Sequence, residues 1–195
     1  GPATWNQTGG TVTTNTNILL SNSGTGSSTF NQSGGAFNLT GAGYFYIGNM
    51  GAPTQTMNLS GGTFTASNSG GTLIAVRGTA SLNLSGTANV TFPSLGFGHG
   101  STTGATGIVN LDGGTLVARR IYMNNPTAYS SFNFNGGTLR AGENADPNFL
   151  SGLSFVMVLS GGAVIDSGTN DISIVQDLYD GGGGLTKLGT GSLKL

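Results

Sequence analysis

Apolar and polar positions alternate in short runs that return about every 25 residues along the chain. The runs share an apolar residue, a second apolar or amide residue two positions later, and a glycine after four positions; they begin at Trp5, Phe30, Met57, Leu82, Val109, Phe132 and Met157. Alternation with a period of two predicts β-strands that have one face toward a core. Because so short a unit cannot bury its own apolar face, its recurrence predicts coils that stack on one another.

Each of these strands has one outward position between two inward ones. In six successive runs the outward residue is asparagine: Asn6, Asn31, Asn58, Asn83, Asn110 and Asn133. Stacked coils would hold these amides about 4.8 Å apart, so that each can donate a hydrogen bond to the next. We therefore expect a structural ladder of asparagines on the outside of the stack. In the seventh run the same alignment points Met157 inward and Val158 outward.

Glycines follow each run and predict a sharp corner. Glycine adopts positive φ at little cost, and we expect the first glycine of a pair, such as Gly61, to need it. A second strand follows the corner, with inward residues Val12, Phe37, Phe64, Leu116, Leu139 and Val164. In the fourth run, a one-residue insertion would move the inward positions to Val90 and Phe92. A further apolar patch returns at 18–20, 44–47, 73–76, 95–97, 121–123, 149–153 and 172–175.

Together these features predict an all-β protein: a right-handed parallel β-helix (β-solenoid) of about seven to eight coils with about 25 residues per coil. A leucine-rich repeat would need a Leu-x-x-Leu-x-Leu frame and a helical stretch, and the sequence has neither. At about 4.8 Å per coil, the stack would be a rod about 35 Å long. We expect residues 1–195 to form a single β-solenoid domain that is a fragment of a longer repeat protein.

Composition narrows the classes of partner. The chain has 37 glycines but only 7% charged residues and a net charge of -1, and its periodic aromatic residues favour a packed fold over a disordered linker. Six basic residues can neutralise few phosphates, so we expect no nucleic-acid partner. There is no cysteine for disulfides or a cysteine-based zinc site. No apolar run reaches the roughly 18 residues needed to cross a bilayer, so we expect no membrane-spanning segment in this chain.

Residues 181–195, GGGGLTKLGTGSLKL, resemble the autotransporter-associated β-strand repeat, which is rich in glycine around a Leu-Thr-Lys segment. The matching positions are Gly182, Gly184, Leu185, Thr186, Lys187, Gly189, Gly191, Leu193 and Leu195, and Ser192 replaces the usual threonine. The upstream runs are more loosely similar to the same class of large bacterial surface proteins. The resemblance implies a secreted β-helical passenger, extracellular or on the bacterial cell surface, with neighbouring repeats of its parent protein as partners. It implies no catalytic residues.

A few solenoids cleave polysaccharides, so the carboxylates are candidates for chemistry. They are Asp112, Glu143, Asp146, Asp166, Asp171, Asp177 and Asp180. A lyase or hydrolase would need paired carboxylates, or a calcium site beside a basic residue such as Arg119. Calcium binding by Asp166, Asp171, Asp177 and Asp180 stays open, although no calcium-loop spacing is present. We expect solvated loop acids, a structural His99, and neither catalytic residues, metal nor cofactor.

Outward aromatic residues are the remaining candidates. If Phe45 and Ile47 point inward, alternation sends Tyr44 and Tyr46 outward, and the same logic applies to Tyr122 about three coils along. Sugar rings stack on exposed aromatic faces, so these three tyrosines are candidate ligands for an extracellular polysaccharide or a cell-surface glycan. The alternative is that they stack with one another and only support the sheet.

Two functions therefore remain open. The first is a non-catalytic structural or adhesive β-solenoid segment of a secreted or surface-displayed bacterial protein. The alternative is a carbohydrate-binding module that recognises a polysaccharide through its outward aromatic residues.

Overall fold

The computed structural model describes residues 2–21, 26–49, 53–100 and 103–195. Within these residues the regular structure is β-strand throughout, without a helix. Twenty-four strands form three parallel sheets of eight strands each. The prediction of an all-β solenoid is confirmed, with about 25 residues per turn.

Each turn contributes one strand to every sheet. Sheet A contains β1 (Ala3–Gln7), β4 (Ser28–Gln32), β7 (Gln55–Leu59), β10 (Thr79–Leu84), β13 (Thr106–Leu111), β16 (Tyr129–Phe134), β19 (Phe155–Leu159) and β22 (Tyr179–Gly181). Sheet B contains β2 (Thr11–Thr14), β5 (Ala36–Leu39), β8 (Thr63–Ala66), β11 (Asn89–Phe92), β14 (Thr115–Ala118), β17 (Thr138–Ala141), β20 (Ala163–Asp166) and β23 (Leu185–Leu188). Sheet C contains β3 (Ile18–Leu20), β6 (Phe45–Ile47), β9 (Thr72–Ile74), β12 (Leu95–Phe97), β15 (Ile121–Met123), β18 (Asn148–Ser151), β21 (Ile172–Val175) and β24 (Leu193–Lys194).

The core is a column of apolar side chains that runs the length of the solenoid. Sheet A contributes Met57, Leu82 and Val109 from successive turns, each fully buried. On sheet B, Phe37 and Phe64 stack with their ring planes 4° apart and their centroids 4.9 Å apart. The hydrophobic effect is the main stabilising contribution here, because apolar side chains of successive turns cover one another.

The insertion predicted in the fourth run is present. Asn89 pairs with Thr115, and Val90 pairs with Leu116, so the extra residue is absorbed in the corner before β11. Val90 and Phe92 are both buried, as predicted. The third patch of each unit forms the strands of sheet C at the predicted places.

The inward and outward positions predicted for the seventh run are wrong by one residue. Met157 pairs with Asn133, so it continues the outward column of the asparagines. Val156 and Val158 are buried, whereas Met157 and Leu159 are only partly covered. Val158 is therefore an inward residue, contrary to the prediction.

Corner length explains this shift. Phe134 pairs with Val158 and Thr138 pairs with Val164, so the corner between sheets A and B is longer in the seventh turn than in the sixth. An alignment on the glycines hides this change, since it assumes corners of equal length. Beyond the corner, Ala163 and Ile165 are buried instead of the predicted Val164.

The glycine pairs at the corners allow a sharp turn and a close approach of successive turns. Positive φ at the third corner lies at Gly62 (φ 76°) and not at Gly61, so the predicted position is wrong. A Cβ on Gly62 would also collide with the backbone of Gly34 and Gly35. A Cβ on Gly61 would lie 2.6 Å from the carbonyl oxygen of Ser33. At this corner both glycines therefore allow successive turns to approach, and the second also provides the left-handed backbone conformation; at the sixth corner the first glycine, Gly136 (φ 100°), provides it instead.

A chain of five hydrogen bonds joins the six asparagine side chains on the outer face of sheet A. Nδ2 of Asn83 donates to Oδ1 of Asn58, and Nδ2 of Asn110 donates to Oδ1 of Asn83, both at 2.8 Å. The other bonds, at 2.7–2.8 Å, run from Asn31 to Asn6, from Asn58 to Asn31 and from Asn133 to Asn110. All but Asn6 are half-buried. Each interior amide thus donates to one turn and accepts from another.

We expect Asn83→Ala to lower the free energy of unfolding by about 1–3 kcal/mol, because it removes two amide hydrogen bonds worth about 0.5–1.5 kcal/mol each. Urea denaturation followed by circular dichroism measures the change. Asn6→Ala is the matched control: this exposed residue makes one ladder bond, and its loss should cost less than about 1 kcal/mol. Equal losses from the two substitutions would contradict a stabilising role for the interior of the ladder.

Candidate glycan-binding groove

Tyr44 and Tyr46 lie on the outer face of sheet C. Between and beyond them, Phe45 and Ile47 are buried in the core, so the side chains alternate as predicted. Tyr44 is 46% exposed, Tyr46 is half-buried, and their ring centroids are 5.2 Å apart. The two rings form one wall of a groove.

Tyr122 lies in the same column of sheet C as Tyr46. Strand pairing orders this column as Tyr46, Leu73, Gly96 and Tyr122. The backbone positions of the two tyrosines are therefore three strand spacings, about 14 Å, apart. A Cβ on Gly96 would lie 3.0 Å from Cζ of Tyr122 and 2.6 Å from Cδ2 of Leu73. The Tyr122 ring thus leans over Gly96, and a side chain at this position would displace the ring or Leu73.

The groove between these walls has a volume of about 400 Å³. Its lining comprises Tyr44, Tyr46, Gly70, Gly71, Leu73, His99, Gly100, Tyr122 and Asn124. The His99 ring centroid is 5.9 Å from that of Tyr46, and Nδ2 of Asn124 donates to the carbonyl of Gly98 at 2.9 Å. Volumes of this order are typical of small-ligand sites. The groove combines aromatic faces with phenol, imidazole and amide groups at its edges.

Arg120 supports the Tyr122 side of the groove. Its Cζ lies 3.9 Å from the centroid of the Tyr122 ring, which is a cation–π contact. Its Nη1 lies 3.6 Å from Oδ2 of Asp146. Sequence reasoning did not include Arg120 in the site, although residues two apart on a strand share a face. The alternation that sends Tyr122 outward was the signal that could have identified it.

Burial raises the pKa of Tyr46 above its ordinary value of 10.0, and the neighbouring Tyr44 raises it further. Tyr46 is therefore a neutral phenol at physiological pH. A neutral phenol can both donate a hydrogen bond to a ligand hydroxyl and accept one from it.

The acidic residues considered as calcium ligands lie in different local environments. Asp166 Oδ2 lies 3.4 Å from Nε of Arg140, and Asp166 Oδ1 accepts a bond from the Gly168 amide. Asp180 accepts from the amide of Gly182, and Asp177 is exposed. Within the described ranges, no group of three His, Cys, Asp or Glu residues is arranged to hold a metal ion.

The two residues that a lyase would use also have different partners. Oδ1 of Asp171 accepts hydrogen bonds from the amide and the hydroxyl of Ser192 at 2.8 and 2.7 Å. Nε of Arg119 donates to the carbonyl of Asn144 at 3.1 Å. Asp171 therefore ties β24 to the preceding turn, while Arg119 fastens a loop elsewhere on the solenoid.

A second opening, of about 440 Å³, lies at the first turn and is lined by core-facing residues such as Trp5, Ile18 and Leu20. Strand β1 pairs with β4 on one side, so this opening is the end of the apolar column. It contains none of the candidate site residues.

Comparison of the chain with protein-family models, with curated proteins and with solved structures gives no match. The part of the chain that the structure describes contains no helix long and apolar enough to span a membrane. Function must therefore be argued from the geometry of the chain itself.

The hydrogen bonds between Asp171 and Ser192 should make the free energy of unfolding depend on pH. Hydrogen bonds from the backbone and then the side chain of Ser192 hold the pKa of Asp171 below its ordinary 3.8. A carboxyl with a lowered folded-state pKa stabilises the fold above its unfolded pKa, and this contribution is lost as pH falls through the folded value. The difference in unfolding free energy between wild type and Asp171→Ala should be constant well above pH 3.8 and should shrink below it. Urea titrations from pH 2 to 6 measure this, and Ser192→Ala should reduce the pH dependence.

Proposed function

We propose that the chain is a non-catalytic structural or adhesive segment of a secreted or surface-displayed bacterial protein. The observation that carries this proposal is the continuous register of the three sheets: every turn adds one strand to each of them. A stack of this kind grows in length with each turn, and each turn contacts only its neighbours. It can therefore hold other parts of a protein at a distance without any reacting group.

The last turn adds support for this location. Residues 181–195 supply β23 and β24, which extend sheets B and C by one strand each. This is the segment that resembles the autotransporter-associated repeat, and repeats of that kind would continue the same sheets as a passenger. Stacking also stabilises the fold without cysteine, which is compatible with an extracellular setting.

Protease treatment of intact cells tests the proposed location. Peptides of this chain should be released from the bacterium that encodes it, while a cytoplasmic marker protein stays intact. The purified chain, incubated with neutral and anionic polysaccharides, should release neither reducing ends nor unsaturated products. Product formation that is lost in Asp171→Ala or Arg119→Ala would instead identify a polysaccharide lyase.

Carbohydrate recognition is a second candidate function, and the groove on sheet C favours it. Tyr46 and Tyr122 lie in one outward column, three strands apart, and both line the groove. A tyrosine combines an apolar ring with a hydroxyl. Sugars present the same combination of apolar C–H faces and hydroxyl edges, and aromatic residues with a polar tip are suited to bind them. An oligosaccharide of a few units would fill the groove.

We expect Tyr46→Ala and Tyr122→Ala each to weaken oligosaccharide binding about tenfold, which corresponds to about 1.4 kcal/mol. A glycan array followed by isothermal titration calorimetry measures the change. Tyr122→Phe should retain most of the affinity if ring stacking dominates. Thr63→Ala, on the outer face of sheet B, is the control and should bind like wild type. Unchanged affinity in both alanine variants of the groove would contradict binding at this site.

A further inference from the structure

Three exposed aromatic side chains cross the outer face of sheet A as a diagonal row. Tyr129, Phe155 and Tyr179 are 45%, 40% and 43% exposed, and we call them the aromatic stripe. The ring centroids of Tyr129 and Phe155 are 5.8 Å apart, and those of Phe155 and Tyr179 are 5.4 Å apart. The successive ring planes are inclined by 40° and 43°. The rings thus form one continuous exposed aromatic surface.

Strand register creates this diagonal. The rings lie on the successive strands β16, β19 and β22. Phe155 pairs with Ser131, two residues after Tyr129, and Tyr179 pairs with Met157, two residues after Phe155. Residues two apart share a face of the sheet, so all three rings project to the same side. The slip in the seventh turn is what places Phe155 outside.

The stripe is too small to be a stable protein interface. Aromatic side chains offer about 150–250 Å² each when fully exposed, so three rings with the exposures given above present roughly 190–320 Å². A stable protein–protein interface buries about 800 Å² on each partner. Contiguous apolar patches of a few hundred Å² on a soluble protein are nonetheless often functional. The partner must therefore be narrow.

The charges around the stripe exclude several narrow partners. The strands of sheet A contain no lysine or arginine, and their one acidic residue is Asp180. Single-stranded nucleic acid would need a positively charged groove beside the stacking rings. An acidic polysaccharide would likewise meet no cation on these strands to offset its charge. An uncharged polymer fits these surroundings.

We propose that the aromatic stripe binds an uncharged polysaccharide chain that lies across consecutive turns of the solenoid. Successive sugar rings place their C–H faces on successive aromatic rings. The hydroxyls of Tyr129 and Tyr179 are available at the two ends of the stripe to exchange hydrogen bonds with sugar hydroxyls. This site is on a different sheet from the tyrosine groove and does not depend on it.

Affinity gel electrophoresis tests the proposal with defined probes. The chain is run in native gels that contain hydroxyethylcellulose, galactomannan or laminarin as neutral polymers, and polygalacturonate or alginate as anionic ones. Wild type should be retarded by at least one neutral polymer, and Phe155→Ala should weaken this binding about tenfold or more. Phe155→Tyr, which keeps a ring, should stay close to wild type. Thr63→Ala, on the outer face of sheet B, is the matched control and should migrate like wild type, and Tyr46→Ala is run beside it to report any binding in the groove.

The possible outcomes are distinct. Circular dichroism verifies folding, and Tyr179→Ala replaces Phe155→Ala if the latter does not fold. Absence of retardation by every neutral polymer, or retardation by the anionic polymers alone, would overturn the proposal. Retardation that is lost in Tyr46→Ala but kept in Phe155→Ala would place binding in the groove and also overturn it. A concentration-dependent dimer that disappears in Phe155→Ala would show that the stripe joins two copies of the chain instead.

Discussion

Parallel backbone pairing between equivalent positions of successive turns is the constraint on which the rest of this structure depends. Because the strands pair in register, each side chain has its own counterparts in other turns as neighbours. Asn83, for example, pairs with Asn58 on one side and Asn110 on the other. Apolar residues therefore cover apolar residues, and amides meet amides at hydrogen-bonding distance. A slip of one residue would exchange the two faces of a strand, so both the core and the asparagine ladder resist it.

This constraint also determines how much the sequence could predict. The strands, the three apolar patches per turn and the asparagine column follow from the periodicity of the sequence. When turns stack, residues at equivalent positions of the repeat lie above one another in a column. The fourth-turn insertion was visible because Val90 and Phe92 keep their alternation after it. The seventh turn could not be read in the same way. Alternating residues there are apolar on both faces, so only the corner length, which glycine alignment hides, decides that Val158 is inside.

Strand alternation also decided which outward side chains could be located from the sequence. Alternation alone places Tyr44, Tyr46 and Tyr122 outside. It does not reveal that the Tyr122 ring leans over Gly96. That orientation depends on the residue in the preceding turn, which is a glycine and has no side chain. The aromatic stripe was missed because the glycine alignment turns Phe155 inward, together with Met157. An error of one residue in register thus concealed a surface that three aromatic residues share.

The outer face of sheet A shows how such a scaffold can acquire a binding surface at small cost to its fold. One outward column holds asparagine through six turns, then Met157, then Tyr179. The ladder therefore ends where the aromatic stripe crosses its column. On the inner face, Phe132 pairs with Val156 and both remain buried, so the core continues past the change. Since the inner columns and the backbone pairing maintain the register, outward positions can exchange stabilising amides for exposed rings. In a solenoid, the inner columns specify the fold, while the outer columns are where recognition can change from one turn to the next.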